Sequence, residues 1–225
     1  MVAAALAPLM PCGLAPPPSS YPKLWALVSF LRKYRKRPQF HGIIFCSTRQ
    51  GAHFLAEALR TAAARPPGAQ PGSQPLLGFV EEVALLVGHG VGADDKGRRM
   101  PWEVLGSGQL YSEGLAGRGM TAQQQQNVLR AFKVPGRRLL VATNAAEEGL
   151  DVPCCEFVVR FSPPSTGIQL LQGRGRARKL GALYHCLLQA PHGGPQLHGG
   201  ADNKMHKKSL AEEAALRTVL RSMAE

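Results

Sequence analysis

Acidic residues are scarce in this chain: 15 Asp and Glu stand against 27 Lys and Arg, a formal charge of +12. That imbalance points to an anionic partner, nucleic acid before any other. Cysteine is sparse and badly placed for cross-linking. Cys12, Cys46, Cys154, Cys155 and Cys186 form no C-x-x-C pair and are odd in number. They argue against a disulfide framework and a zinc cluster, and for reduced thiols in an intracellular setting, cytoplasmic or nuclear. Aromatics make up 6%, and Trp25 and Trp102 stand too far apart for a base-stacking platform. The seven histidines show no ligand spacing. No apolar run approaches the length of a membrane span, and no basic amphipathic helix suits a membrane surface, so no membrane partner is expected. The sequence also has no G-x-x-x-x-G-K-[ST] phosphate loop. The nearest stretch opens at Gly88-His89-Gly90, and its Lys96 lacks the preceding Gly and the following Ser or Thr. No Asp-Glu-x-His or similar magnesium motif follows a strand.

What is present alternates. Pro22 suits a first helical turn, and Leu24, Leu27, Val28 and Leu31 repeat at helical spacing, so residues 22–36 predict a helix. His41–Cys46 holds the apolar run of a buried strand. Ser47 is placed to cap a helix reaching about Ala64, with Ala52, Leu55, Ala56 and Leu59 on one face. Val83–Val87, Leu139–Thr143, Phe157–Phe161 and Ala182–Leu188 predict four more strands. Thr121 with Gln124 forms a capping box ahead of Val128, Leu129 and Phe132. A helix near Ser165–Gln172 separates the last two strands. Ser209 with Glu212 predicts the cap of a final helix using Leu210, Ala214, Leu220 and Met223. The alternation predicts a parallel sheet with helices on both faces. In such sheets the segments after the strands carry the chemistry.

The expected organisation is a disordered leader over 1–20 and one domain over 21–190. Within it lie a Pro/Gly linker at 65–75 and a glycine-rich loop insertion at 88–119. A linker over 191–208 and a C-terminal helix over 209–225 follow, the helix being a possible start of a further helical segment.

Two segments stand where that chemistry is expected, and a third follows a predicted helix and precedes a strand. Cys46-Ser47-Thr48-Arg49 puts hydroxyls and a cation on a helix N-terminus, a phosphate-binding arrangement. Thr143 opens the stretch to Asp151: its hydroxyl can meet a backbone phosphate, Gly149 permits close approach and Asp151 can accept from ribose hydroxyls. Gln172-Gly173-Arg174-Gly175-Arg176-Ala177-Arg178 sets three arginine forks at alternate positions, matched to phosphate oxygens. The plain readings are an N-cap with a solvated arginine, a strand end with solvated glutamates, and a basic loop or nuclear signal. Arg32-Lys33-Tyr34-Arg35-Lys36-Arg37 reads as a solvated helix face, with a phosphate contact as its alternative.

Taken together and in order, these segments resemble the C-terminal motor domain of superfamily 2 helicases. Ile43–Arg49 looks like motif IV, Thr143 to Asp151 like motif V and Gln172 to Arg178 like motif VI. Met120-Thr121 with Gln125, Val128, Leu129 and Phe132 is similar to the helix before motif V. The wording of the last two motifs resembles the duplex-RNA helicases, and Phe157–Phe161 with Arg178-Lys179 leans toward Dicer-like proteins. The resemblance covers about residues 22–189 and is dense from 120 to 188.

It implies a second RecA-like domain, an α/β fold with a parallel sheet flanked by helices. Arg176 and Arg178 would act as arginine fingers on ATP, with Gln172 placing the triphosphate or its water. Gly149, Asp151 and Arg174 would bind the nucleotide. Ser47, Thr48, Arg49 and Thr143 would follow an RNA backbone, most simply that of a duplex. Magnesium and the phosphate cradle would come from a first RecA-like domain, in cis or in trans, that this stretch does not contain. The expected function is the C-terminal motor half of an ATP-dependent RNA helicase or duplex-RNA-stimulated ATPase, a fragment of a Dicer-like RNA-processing protein. The rival is a non-enzymatic basic module binding RNA or protein. A weaker one is a helicase acting on DNA.

Overall fold

The fold is known from a computed structural model that describes residues 22–65, 74–88, 119–143, 154–177, 179–188 and 199–222. The leader, most of the 65–75 linker and most of the 88–119 insertion lie outside the described residues. Five strands form one sheet: β1 (Phe40–Cys46), β2 (Glu82–Leu86), β3 (Arg137–Thr143), β4 (Phe157–Arg160) and β5 (Leu183–Cys186). Their order is β2-β3-β1-β4-β5, and every pairing is parallel. Each strand bears side chains on both faces at a period of two. Phe40, Ile44 and Cys46 therefore join one buried cluster, and Ile43 and Phe45 the other.

Helices α1 (Pro22–Arg32) and α2 (Arg49–Ala63) cover the first face, burying all eight residues predicted for their inner stripes. Helix α3 (Ala122–Lys133) covers the second with Leu129 and Phe132, and buried Gln125 donates from Nε2 to the carbonyl of Val87 at 2.8 Å. The capping box of α3 is present: Thr121 Oγ1 accepts from the Gln124 amide and Gln124 Oε1 from the Thr121 amide. Helix α4 (Gly167–Arg174) shares the second face, since its partners Arg160 and Tyr184 project there. The sheet with helices on both faces is thus the architecture that the alternation predicts.

Four expectations are corrected. Helix α1 stops at Arg32, and residues 33–36 form turns. The reason is Tyr34, whose ring packs 4.4 Å from that of Phe157 and turns the chain toward β1. The cap of α2 is Thr48, one residue later than expected: its hydroxyl accepts from Gly51 N at 3.0 Å, and Ser47 Oγ donates to Ser162 Oγ at 3.2 Å. The segment expected as linker to residue 208 is helical from Gly199, within α5 (Gly199–Ser222). Ser209 lies inside that helix, buried, and its hydroxyl donates to His206 O at 2.8 Å instead of capping. The buried face of α5 includes Ser209 and Glu213, while Leu210 is 38% exposed.

Candidate nucleotide and nucleic-acid interface

Parallel pairing brings two predicted segments side by side. Cys46 and Thr143 are register partners at the carboxyl ends of β1 and β3, so Ser47–Arg49 and Thr143 share one edge of the sheet. Ser47 and Thr48 are exposed there, and Arg49 is half-buried on the first turn of α2. Thr143 is only 4% exposed, and its Oγ1 accepts from Gly88 N at 3.2 Å. Its hydroxyl proton is left to donate, but the side chain sits beneath the surface rather than on it. Gly149, Asp151 and Arg178 lie outside the described residues.

The arginine run follows a helix and precedes a strand, as its sequence context predicts, so it does not stand at the carboxyl end of a strand. Gln172, Gly173 and Arg174 are the last turn of α4, and Gly175 is its C-cap. Arg176 follows, and its carbonyl accepts from Cys155 N at 3.3 Å, two residues before β4 begins. Because α4 is the crossover from the end of β4 back to the start of β5, its exit reaches the amino edge of the sheet. The structure thus joins Ser47, Thr48, Arg49 and Thr143 at one edge, and carries Arg176 to the opposite one.

The glycines of the run have packing work. A methyl group at Gly173 would sit 3.0 Å from Arg160 Nη2 and 3.2 Å from Tyr184 Cε2. Arg160 is fully buried: its guanidinium lies 4.8 Å from the Phe45 ring centroid, and Nη2 donates to Gln169 O at 2.7 Å. A charge is accommodated there because two acceptors, Gln169 O and Tyr184 OH, and an aromatic face replace water. The sequence reading missed this residue. Its signal was parity: Arg160 shares a strand face with Val158, which is buried in the core.

Arg174 is held by α5. Its Nη1 donates to both carboxylate oxygens of buried Glu213 at 2.7 Å, and Arg217 reaches Oε1 of the same carboxylate at 2.9 Å. Tyr184 lies under the Arg174 guanidinium at 5.7 Å. At the other end of α4, Glu212 Oε2 accepts from Gly167 N at 2.8 Å, a carboxylate on a helix N-terminus. Gln172 Oε1 is buried with no hydrogen-bond partner among the described residues. That orphaned acceptor suits a donor such as a water.

Three of the described cysteines are unreactive. Burial pushes the Cys46 and Cys155 thiols up to about 12 and that of Cys186 to about 11, so none is a thiolate nucleophile near neutral pH. Burial lowers His53 and His185, with Arg60 and Lys33 adding to the effect. Among the described residues no group of His, Cys, Asp and Glu could hold a metal ion, so these residues do not fit a magnesium site.

Comparison with known proteins agrees with this geometry. Residues 106–181 match the helicase conserved C-terminal domain. The chain is 29% identical over 184 residues to Dicer-like protein 1 of Cryphonectria parasitica, covering 81% of this chain and 10% of that protein. It is 31% identical over 168 residues to Endoribonuclease Dicer homolog 1 of Oryza sativa subsp. japonica, covering 75% of this chain and 7% of that one. It therefore spans a tenth or less of these relatives. Its fold is similar to that of the E. coli DEAD-box protein SrmB, with a TM-score of 0.51 at 17% identity over 83% of this chain and 76% of the other. The sheet order, the ordered motifs and these matches together make the chain a helicase C-terminal domain of the RecA-like type, related to Dicer-like proteins.

Proposed function

We propose that this domain is the second motor half of an ATP-dependent, duplex-RNA-stimulated helicase of the Dicer-like group. The carrying observation is the division of labour between the sheet edges. Hydroxyls and a cation (Ser47, Thr48, Arg49, with Thr143 beneath) occupy the carboxyl edge, and the arginine-bearing exit of α4 occupies the other side. One surface suits a phosphate backbone and the other can complete a nucleotide site presented by a partner domain.

In this reading the first motor domain cradles ATP, whose magnesium it also holds. Arg176 and Arg178 reach across the cleft and stabilise the charge that develops on the transferring phosphoryl group. Gln172, with its unpartnered Oε1, orients the attacking water. Arg174 keeps Nη1 on Glu213 and offers its other nitrogens to the nucleotide, while Gly149 and Asp151 face the ribose. RNA lies along Ser47–Arg49 and Thr143 and is recognised through its backbone. Closure of the cleft requires both ligands, which couples hydrolysis to RNA binding.

The test is Arg176→Ala in a protein joining this domain to its phosphate-loop partner. Turnover should fall about 10³-fold or more, the scale of an arginine finger, with duplex-RNA affinity changed only slightly. Unaltered turnover would remove Arg176 from the catalytic role.

A further inference from the structure

The turn joining α1 to β1 carries Arg32, Lys33, Arg35 and Lys36, which with Ser29 line an open hollow of about 400 Å³. All five residues are exposed. None of the four cations is paired with a described carboxylate, although other cations at this end of the sheet are. Arg137 is paired with Glu81, Arg138 with Glu82 and Lys179 with Glu156.

The turn is also built rather than trailing. Tyr34, in the middle of the basic run, inserts its ring among Phe30, Phe40 and Phe157, at centroid distances of 5.5, 5.7 and 4.4 Å. Lys33 N, Tyr34 N and Arg35 N donate to Phe30 O, Leu31 O and Arg32 O at 2.9–3.2 Å, fixing the backbone from which the cations project. A solvated charge run needs no such anchor. The dipole of α1 accounts for Arg32, in its last turn, but the effect fades beyond the helix end and leaves Lys33, Arg35 and Lys36 unexplained.

We infer that this turn is a second phosphate-backbone site for nucleic acid, on the sheet edge opposite Ser47–Arg49. The two are separated by the length of β1, about 23 Å at roughly 3.3 Å per residue. A small-molecule pocket would be mostly apolar with a few polar groups, and this hollow has no apolar lining residue. In an A-form duplex the major-groove base edges are out of side-chain reach, so contact is with phosphates and independent of sequence. The inference rests on the reading above only for the class of polyanion.

The test uses the 225-residue chain and a duplex RNA of about 20 base pairs, with affinity measured across a salt series. The variant Arg32→Gln/Lys33→Gln/Arg35→Gln/Lys36→Gln should stay folded with only a small fall in melting temperature, since no described ion pair is lost and only the interaction of Arg32 with the dipole of α1 is removed. Its salt slope should fall by about 3 to 4, at roughly 0.9 per phosphate contact. Arg49→Gln, at the other edge, should lower the slope by about 1 in either background. An unchanged slope in the fourfold variant overturns the site while leaving the motor reading intact. No RNA binding by the chain at all overturns the site and the RNA partner together. Binding to polyglutamate or to phosphatidylserine vesicles that disappears in the variant, with RNA affinity unmoved, assigns the turn to a protein or a membrane and also overturns it. The fall in turnover on Arg176→Ala does not depend on this turn, so the two proposals fail separately.

Discussion

Glu156 shows how single residues tie the arginine run to the sheet. Its Oε1 accepts from Lys179 Nζ at 2.5 Å and its Oε2 from His41 N at 2.7 Å. Burial works against its charge, but these two bonds outweigh that and hold the carboxyl below its ordinary 4.5. A lowered native value means that Glu156 adds stability above the unfolded-chain value, and that the addition drains away as pH falls through the native one. Glu156→Gln should therefore be less stable than the parent at neutral pH and should lose less on acidification below about pH 4.5. Parallel stability curves in urea titrations across that range would show that Glu156 is not linked to folding. At this scale much was legible: the inner stripes of α1 and α2 and the Thr121–Gln124 box follow from spacing and local hydrogen bonding alone. Ser47 and Thr48 show where legibility ends. Either hydroxyl could cap α2, and spacing alone does not choose between them; Ser47 instead donates to Ser162, 115 residues away. Arg160 was obscured for the same reason, since its stabilising partners Phe45, Gln169 and Tyr184 are scattered through the chain.

Between elements, the seam of α4 with α5 depends on Gly167. A methyl group there would lie 2.5 Å from Glu213 N and 2.7 Å from Glu212 C, both backbone atoms that cannot swing aside. Gly167→Ala should therefore displace α5, at a cost of about 3 kcal/mol or more, the upper range for overpacking. Glu212 would leave the N-terminus of α4, and Glu213 would leave Arg174. Hydrogen exchange should show lost protection over 199–222 with β1 and β3 still protected. Retained protection in α5 would mean that the seam adapts. The sequence predicted this helix but misjudged its start and its face. Apolar periodicity put Leu210 and Ala214 inward, whereas the seam buries a carboxylate that two arginines satisfy. A charge buried by pairing has no signature in a hydrophobic pattern, because its partner Arg174 comes from another helix.

At the largest scale the described residues form a sheet domain in a basic chain, with Ser47–Arg49 at one edge and the exit of α4 at the other, and on the reading proposed above that arrangement favours a motor half over a passive binding module. An arginine finger lowers a barrier only for a nucleotide already cradled, and contributes about 4–7 kcal/mol there. The described residues offer no metal-ligand group, and the sequence has no phosphate loop. The isolated chain should consequently hydrolyse ATP no faster than buffer, with or without duplex RNA. Adding a phosphate-loop motor domain from a Dicer-like relative, in trans or fused ahead of Pro22, should restore RNA-stimulated turnover, and Arg176→Ala should abolish the gain. Turnover by the chain alone would mean that a cradle exists in this sequence after all. Absence of turnover in the joined protein, with RNA still bound, would favour the binding module: Gly173 would then serve only to pack α4 on Arg160, and the arginines of the run only to hold α5 and the RNA.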